Sequence, residues 1–375
     1  MTLEYPNKQS KENIIKASKM FKPIEYDNKH SYLYFGDNFS VLSSLLNYNS
    51  NTIDLIYIDP PFFTNNDFYI SKDRANTISS SKLDREKAYS DKFKRNDYFN
   101  FLRKRLIILR ELLSERGSLY IHIDYKIGHY IKILLDEIFG IDCFKNDITR
   151  IKSNPKNFAR KAYGNIKDMI LFYVKNNNNY IWNEIKQYTL DNIDKKFPKV
   201  DSEGRRYTTV PCHAPGETVA GKTNSLWQGL YPPKGRHWRM DILELEKLNN
   251  NGLIEWSKTG NPRIIKYADE YKGAKMQDVW LDYKDPQYPL YPTHKNEDML
   301  DMIIKQSSNK DSLLLDCFAG SGSFLNAAYK NERYFIGIDN SDISIKTIKS
   351  RDIGNYCFID YNSINNNENI KVNNG

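Results

Sequence analysis

One short motif combines a carboxylate, a carbonyl and an aromatic ring. An apolar run, residues 53–58, leads directly into Asp59, Pro60, Pro61 and Phe62. Because proline lacks the N–H that a central strand donates, the prolines should turn the chain at the strand's carboxyl end, where open α/β sheets bind ligands. The Asp59 carboxylate and the Pro60 carbonyl could then accept both hydrogens of an exocyclic amine, with Phe62 stacked on its ring. The motif predicts a catalytic site for such an amine, although the same residues could simply end a strand.

A second group of residues has the pattern of a nucleoside-binding turn. A buried apolar run ends at Asp316 and is followed by Phe318, by Gly320 and Gly322, and then by a helical stretch. Glycines let a ligand approach the backbone closely, because no Cβ stands in the way. Asp339 ends the next apolar run, about 20 residues further on, where an acidic residue can bind ribose hydroxyls. The pattern favours a nucleoside cofactor; a dinucleotide fits less well, since no third glycine follows at the expected place.

These motifs need a sheet that brings the ends of separate strands together. Short apolar runs alternate with stretches of helical periodicity, which is typical of βαβ units and a mostly parallel sheet. The expected fold class is α/β, with a mostly parallel mixed sheet. Strands are predicted at residues 32–35, 53–58, 118–123, 167–174, 312–315 and 334–338, and helices at residues 38–46, 98–115, 127–138, 297–306, 323–330 and 343–350.

Changes in composition divide the chain into five segments. Residues 1–30 are polar and should form a loose arm or a peripheral helix. Residues 31–176 and 286–361 carry the two motifs and the strand–helix alternation, so they are expected to be two halves of one domain. Residues 177–285, rich in Gly, Pro, Trp and basic side chains, favour an inserted region with its own structure. Residues 362–375 are Asn-rich and are expected to be disordered.

The composition limits the classes of protein to consider. The 375 residues carry a net charge of +8, which suits a polyanionic partner without identifying one. Four scattered cysteines show no C-x-x-C spacing, so no structural zinc site, disulfide framework or other metal site is expected. A membrane span and a signal-peptide pattern are both missing from the sequence, which favours a cytoplasmic protein. Residues 63–95 are polar and aperiodic, as in a long functional or disordered loop.

The inserted region interleaves basic and aromatic side chains. Arginines usually are solvated surface charges, but arginines alternating with tryptophan and tyrosine are more typical of a nucleic-acid surface. The candidate DNA-binding residues are Arg205, Arg206, Arg236, Arg239 and Arg263, with Trp227, Trp238 and Tyr207 among them.

Both motifs, in this order, resemble the β-group of amino-methyltransferases of DNA. In that family an Asp-Pro-Pro-aromatic motif comes first, a target-recognition region follows, and Phe-x-Gly-x-Gly stands near the C-terminus. The resemblance covers about residues 32–352 and implies a Rossmann-like methyltransferase domain, S-adenosyl-L-methionine as cofactor, and residues 177–285 as the target-recognition region. Residues 256–262 and 277–280 look like segments of adenine-specific enzymes related to type III modification subunits.

The resemblance also assigns cofactor-binding residues. Residues 291–295 are similar to the segment that covers the cofactor, and Asp37 is similar to a residue near the cofactor's adenine. The full expected set is Asp37, Asp316, Phe318, Gly320, Gly322, Asp339, Thr293 and Lys295. Cys317, Ala319, His294 and Phe62 depart from the family's usual residues but keep their size or aromatic character.

The implied reaction is methyl transfer to N6 of adenine in duplex DNA, after the base is flipped out. Asp59 favours adenine, since the family's N4-cytosine enzymes usually have serine there. An N4-cytosine enzyme, an RNA methyltransferase and an inactive DNA-binding protein remain as alternatives. The protein partners that the resemblance suggests are a second copy of the chain and a restriction enzyme.

Three further residues could be confused with catalytic groups. Cys212 follows no buried strand, so the thiolate nucleophile of cytosine-C5 enzymes is not expected. His122 and Asp124 end a predicted strand at the same sheet edge as Asp59. They either line the pocket or have a structural role.

Overall fold

The chain divides into two compact units. The structure is a computed structural model that describes residues 2–61, 67–71, 75–76, 85–90, 95–155, 161–187, 193–218, 221–286 and 295–364, with side chains described outside 62–96. The first unit contains Met1–Ile185 and Gln277–Gly375, and the second is Lys186–Met276. The second unit is therefore inserted into the first.

The strands follow one another along the whole chain. They are β1 (Tyr32–Phe35), β2 (Ile53–Ile58), β3 (Asp67–Ser71), β4 (Ala75–Asn76), β5 (Arg85–Ser90), β6 (Leu113–Ile123), β7 (Phe144–Ile151), β8 (Lys167–Val174), β9 (Lys186–Gln187), β10 (Lys199–Val200), β11 (Arg206–Pro211), β12 (His213–Pro215), β13 (Arg236–Trp238), β14 (Ile254–Trp256), β15 (Pro262–Tyr267), β16 (Ala274–Lys275), β17 (Val279–Trp280), β18 (Leu313–Asp316), β19 (Tyr334–Asp339) and β20 (Cys357–Asp360).

The described helices lie in both units, and those of the first unit alternate with its longer strands. They are α1 (Lys11–Ser18), α2 (Asn38–Tyr48), α3 (Arg95–Leu112), α4 (Tyr125–Phe139), α5 (Ile193–Lys196), α6 (Ile242–Asn250), α7 (Glu297–Ser307), α8 (Ser323–Lys330), α9 (Asp342–Lys349) and α10 (Tyr361–Ile364), with a short 3₁₀ helix at Ile141–Cys143. None of the helices that the structure describes has the length and apolar character that a bilayer span requires.

The first unit is built on a large mixed sheet. Within the described residues its strand order is β17-β7-β8-β6-β2-β18-β19-β1-β20. Neighbouring strands are parallel except at β8, which is antiparallel to both β6 and β7. From β18 the chain continues through α8 to β19 on one side, whereas from β2 it continues through α3 to β6 on the other. The strand order therefore reverses between β2 and β18, which opens a crevice at their carboxyl ends.

The central strands are buried along their full length. Every residue of β2 and of β18 is buried, as expected for strands with helices on both faces of the sheet. Two carboxylates fix the helices that begin at the carboxyl edge: Asp37 accepts a hydrogen bond from the N–H of Ser40 in α2, and Asp124 accepts one from Lys126 in α4. Such N-caps contribute about 1 kcal/mol each. Asp124 thus has a structural role.

The second unit has its own small core. Strands β10, β11, β15 and β14 form an antiparallel sheet, and α6 packs beside it. Cys212, Trp227, Trp238 and Leu245 are buried together in this core. Burial raises the pKa of the Cys212 thiol to about 11, so the residue is a packed thiol. This agrees with the prediction that it is no nucleophile.

The predicted fold class, α/β with a mostly parallel mixed sheet, is confirmed. The predicted strands at 32–35, 53–58 and 167–174 have the observed bounds, and the others differ by a few residues at their ends. The hydrophobic pattern missed β7 and β20, and most of the residues of these two strands are only half-buried. Residues 365–375 of the predicted tail and most of residues 63–95 lie outside the described residues.

The boundaries of the insertion differ from the prediction of residues 177–285. Trp182 stacks on Phe172 of β8, with ring centroids 5.7 Å apart. Trp280 is opposite Arg150 in the parallel pairing of β17 with β7, and Asp285 forms an ion pair with the same arginine. Both ends of the predicted region therefore belong to the first unit, and composition could not reveal these contacts.

Candidate active site

The reversal of strand order brings the two sequence motifs together. In the parallel pairing of β2 with β18, Leu55 is opposite Leu314 and Ile56 is opposite Leu315. Asp59 and Phe318 each lie three residues beyond the last of these pairs. The two turns therefore leave the sheet side by side at its carboxyl edge, where a ligand can contact both.

Asp59 is a largely buried carboxylate with one open oxygen. Its Oδ2 forms an ion pair with Nζ of Lys295 at 3.0 Å. Its Oδ1 is buried, and no hydrogen-bond donor reaches it within the described part of the chain. A buried polar atom left without a partner costs about 1–3 kcal/mol. Oδ1 is therefore suited to accept a hydrogen from a bound molecule.

The prolines that follow Asp59 hold the turn against a helix. The hydroxyl of Tyr98, on α3, donates a hydrogen bond to the carbonyl of Pro61 at 2.7 Å. Pro60 is also buried. Phe62, predicted to stack on the target ring, lies outside the described residues.

Lys295 was expected at the cofactor, and the structure places it on Asp59. Burial acts to lower the pKa of the Lys295 ammonium, but the carboxylates of Asp59, Asp285 and Asp168 outweigh it and raise that pKa above its ordinary value. Lys295 is thus a buried donor whose charged form is favoured, and it contacts the first of the two motifs. Thr293, from the same predicted segment, lies outside the described residues.

Behind Asp59 lies a buried chain of hydrogen bonds that includes His122. Its Nδ1 is 3.0 Å from the hydroxyl of Tyr57 and 4.0 Å from Oδ1 of Asp59, and its Nε2 is 3.0 Å from Oδ2 of Asp168. Burial and the charge of Lys295 lower the pKa of His122, so the ring is neutral. Burial raises the pKa of Tyr57 well above its ordinary value, so the hydroxyl keeps its proton.

Asp168, at the start of β8, is the acceptor at the end of this chain. Burial alone would raise its pKa, but the hydrogen bond from His122 and the charges of Lys295 and Lys152 hold it well below the usual range. Nζ of Lys152 donates to its Oδ1 at 2.6 Å, and a guanidinium nitrogen of Arg150 lies 3.7 Å from its Oδ2. Asp168 is therefore an anion that can only accept hydrogens.

The glycine turn after β18 is held in a left-handed conformation. Gly320 has φ of 51° and Gly322 has φ of 74°, a region that side chains with a Cβ rarely adopt. The N–H of Gly320 donates to Oδ2 of Asp339 at 2.8 Å. The carbonyl of Gly320 accepts a hydrogen bond from the hydroxyl of Ser344 at 2.6 Å. A Cβ on Gly322 would lie 2.8 Å from Cγ1 of Ile348. Backbone conformation thus favours glycine at both positions, and packing also favours it at position 322.

Two carboxylates flank the glycine turn: Asp316 is buried, and Asp339 is half-buried. Burial raises the pKa of Asp316 well above its ordinary value and also raises that of Asp339. Asp316 accepts a hydrogen bond from the N–H of Phe318 at 2.9 Å, and within the described residues no cation pairs with it. An ionised carboxylate in such a place needs a positively charged or hydrogen-donating partner. The side chains fit a ligand that carries an ammonium group and hydroxyls.

Asp37, expected near the cofactor's adenine, lies at the end of β1. Oδ2 of Asp37 pairs with Arg105 of α3 at 3.0 Å, and Arg105 also donates to the side chain of Asn38. Asn38 in turn donates to the carbonyl of Cys317 at 2.6 Å. This arrangement ties the turn after β1 to the turn after β18, so Asp37 and the glycine motif belong to one site.

The five candidate DNA-binding arginines all lie in the second unit, in different surroundings. Arg205 forms ion pairs with Asp269 and Glu270, and its guanidinium stacks 3.6 Å from the ring centroid of Tyr267. This pairing weakens its assignment as a phosphate contact.

The other four arginines differ in their exposure and in the partners of their guanidinium groups. Arg206 is exposed and pairs with Asp194. Arg263 is half-buried and donates to Thr209. Arg236 and Arg239 are exposed, and among the described residues no carboxylate pairs with either. These two are the most available for a polyanion.

Sequence reasoning missed the residues that support Asp59. Asp168, Arg150 and Lys152 lie on or next to β7 and β8, far from both motifs in sequence. Their role depends on sheet order, which places β8 beside β6. A charged residue at the start of an otherwise apolar strand, as Asp168 is in β8, was the available signal.

The known proteins to which this chain is similar include DNA methyltransferases and a modification subunit. The model of the N6/N4 DNA methylase family matches residues 53–350. The type II methyltransferase M.EcaI of Enterobacter cloacae is 37% identical over 365 residues, which cover 94% of this chain and 77% of that protein. The Mod subunit of the type III restriction-modification enzyme StyLTI of Salmonella typhimurium is 26% identical over 81% of this chain, which spans 50% of that subunit.

Among solved structures, the M1.HpyAVI–SAM complex is 18% identical, with a TM-score of 0.45, and covers 85% of this chain and 98% of that one. The family match spans both motifs, the sheet between them and the glycine turn. The chain therefore belongs to the N6/N4 DNA methylase family and is a DNA methyltransferase of the restriction-modification type.

Proposed function

We propose that this protein transfers the methyl group of S-adenosyl-L-methionine to N6 of adenine at a specific site in duplex DNA. The observation that carries the proposal is Oδ1 of Asp59, a buried acceptor without a donor among the described residues. It lies at the crevice where the strand order reverses, beside the glycine turn. The amine of a bound adenine would supply a donor to this oxygen.

The residues around the glycine turn fit the cofactor. Asp316 would bind its ammonium group, because this buried carboxylate has no cationic partner among the described residues. Asp339 would accept hydrogens from the ribose hydroxyls, and the half-buried ring of Phe318 would contact the adenosyl part. Gly320 and Gly322 leave space along the backbone. When bound, the cofactor supplies a methyl group made electrophilic by its sulfonium.

The chain's own contribution is to orient the amine and exclude water. The amine lone pair is delocalised into the adenine ring, which makes the nitrogen a poor nucleophile. Hydrogen bonds to Oδ1 of Asp59 and to the carbonyl of Pro60 favour the tetrahedral nitrogen whose lone pair points away from the ring. Holding two reactants in line lowers the barrier by removing the need for random encounter. The proton released from the amine can be held at Oδ1.

A carboxylate at position 59 favours adenine over cytosine in this proposal. Charge-assisted hydrogen bonds are roughly twice as strong as those to a neutral hydroxyl. The target base must leave the duplex, at a cost of a few kcal/mol. Phe62, expected to stack on the flipped base, would offset about 1–3 kcal/mol of that cost.

DNA is bound by the second unit in this proposal, with Arg236 and Arg239 as phosphate contacts. The relatives include subunits of restriction-modification enzymes, so a restriction partner is proposed as well. A homodimer is the proposed assembly of the chain itself.

The test measures labelled methyl transfer from S-adenosylmethionine to DNA and RNA by the purified full-length chain. We expect transfer to duplex DNA and none to RNA. Asp59→Ala should lose nearly all turnover but keep cofactor affinity, because the cofactor residues lie on the glycine turn. Equal turnover by Asp59→Ala, or transfer to RNA alone, would contradict the proposal.

A further inference from the structure

The partners of the two ring nitrogens of His122 decide which nitrogen carries the hydrogen. Asp168 is an anion that only accepts, so Nε2 of the neutral ring must carry the hydrogen and donate it at 3.0 Å. Nδ1 is then a lone pair, which accepts the hydroxyl hydrogen of Tyr57 at 3.0 Å. The same lone pair lies 4.0 Å from Oδ1 of Asp59. Nδ1 of His122 and Oδ1 of Asp59 are therefore two acceptors that face one another, and neither can donate a hydrogen to the other.

We propose that Asp168 is a positioning residue for methyl transfer, which acts through His122 to keep Oδ1 of Asp59 open for the target amine. The inference rests on the proposed function and deepens it. Asp168 does not touch the substrate. It fixes the imidazole hydrogen on Nε2, and this leaves Asp59 without an internal donor at the one oxygen that the amine needs.

The tautomer with the hydrogen on Nδ1 would make Oδ1 of Asp59 less available to the target amine. With the hydrogen on Nδ1, a shift of about 1 Å would bring the ring within hydrogen-bond distance of Oδ1 of Asp59. In a buried site this internal hydrogen bond would compete directly with the amine of the target base. Oδ2 offers no substitute, because Lys295 binds it at 3.0 Å.

The surroundings of Asp168 make the tautomer sensitive to a single substitution. In Asp168→Asn, the Lys152 ammonium that now donates at 2.6 Å would bind the amide oxygen, since an ammonium has no acceptor. The amide NH₂ would then face Nε2 of His122 and donate to it. The imidazole hydrogen must then move to Nδ1, the nitrogen that lies 3.0 Å from the Tyr57 hydroxyl and 4.0 Å from Oδ1 of Asp59.

The experiment combines kinetics with nitrogen NMR of histidine-labelled protein, in which the His122 signals are identified by their loss in His122→Phe. We expect wild type to show a neutral ring protonated at Nε2 and Asp168→Asn to show one protonated at Nδ1. The variant's kcat should fall roughly 10- to 100-fold while cofactor affinity is unchanged. In the His122→Phe background, Asp168→Asn should cause no further loss.

The matched control is Asp54→Asn, a buried carboxylate at the other end of β2. It accepts hydrogen bonds from Ser114, Arg116 and Ser312, so the exchange of carboxylate for amide is the same. This variant should keep the wild-type kcat and the His122 tautomer. If Asp54→Asn lowers kcat as much as Asp168→Asn does, the effect is one of general stability and the inference fails.

A second variant distinguishes the effect of Asp168 on the tautomer from the effect of Tyr57, and it leaves the Asp168 carboxylate unchanged. Tyr57→Phe removes the donor to Nδ1, and the hydrogen should stay on Nε2 because Asp168 still accepts it. A move to Nδ1 in Tyr57→Phe would show that Tyr57 sets the tautomer, which overturns the inference. Normal kcat in Asp168→Asn, with wild type active on DNA, would overturn it while the proposed function stands.

Discussion

Nζ of Lys295 lies 3.0 Å from Oδ2 of Asp59, and both side chains are nearly buried. The ion pair joins the end of β2 to the segment just before α7, more than 200 residues later in the chain. The lysine binds Oδ2, whereas Oδ1 has no hydrogen-bond partner among the described residues and is the proposed acceptor for the amine. Removing one partner of such a pair leaves an uncompensated buried charge.

Lys295→Met should therefore lower the rate of methyl transfer. Without the ammonium, Oδ2 of Asp59 loses the partner that now holds it at 3.0 Å, so the carboxylate is fixed less well and orients the target amine less well. We expect kcat to fall roughly 10- to 100-fold. Lys305→Met removes an exposed ion pair with Asp301 and is the control. A wild-type kcat in Lys295→Met would show that the lysine does not position Asp59.

Asp316→Asn should stabilise the protein and weaken cofactor binding. Burial raises the pKa of Asp316, so the carboxyl favours folding below its unfolded pKa, and that contribution is lost as pH rises through the folded pKa. The neutral amide avoids this loss. At neutral pH the Tm of the variant should exceed that of wild type by a few degrees, a difference that disappears in acid.

Cofactor affinity of Asp316→Asn, measured by calorimetry, should fall about tenfold or more, since a charged hydrogen bond contributes about 1.5–3 kcal/mol. Undiminished affinity would exclude Asp316 as the partner of the ammonium.

Gly320→Val should abolish cofactor binding. Its φ of 51° is costly for a β-branched residue, and its N–H and carbonyl are both engaged at the turn. Gly252→Val is the matched control, because Gly252 also has a positive φ, of 69°. It lies in the second unit, and no atom of the described residues lies within 4 Å of the position that a Cβ would take. The control should lose stability and keep cofactor affinity. Equal affinity in a folded Gly320→Val would remove this residue from the site.

Replacing Arg236 and Arg239 together by alanine should flatten the salt dependence of DNA affinity. Each lost phosphate contact lowers the slope of log affinity against log salt by about one. Arg205→Ala serves as the comparison, because that arginine already pairs with Asp269. Binding titrations at several salt concentrations measure both slopes. The assignment is wrong if the double variant keeps the wild-type slope or if Arg205→Ala changes it equally.

The sequence allowed the two ends of the site to be predicted but not the residues between them. Asp59 and the glycine turn follow apolar runs directly, so local pattern and turn chemistry were sufficient. Asp168 and Arg105 enter the site only because β8 lies beside β6 and α3 lies against α2, which is a matter of tertiary packing. Lys295 was assigned to the cofactor by resemblance, since no local pattern shows that its ammonium reaches Asp59. The arginines were predicted from composition, which cannot distinguish an arginine paired with Asp269 from an exposed one.

The most direct test of the account is the identity of the methylated base. Duplex DNA incubated with the full-length chain and labelled S-adenosylmethionine is digested to nucleosides, which are identified by mass spectrometry. We predict that the label is in N6-methyladenine for wild type and is absent for Asp59→Ala. Label in N4-methylcytosine, or in N6-methyladenine made equally well by Asp59→Ala, would contradict it.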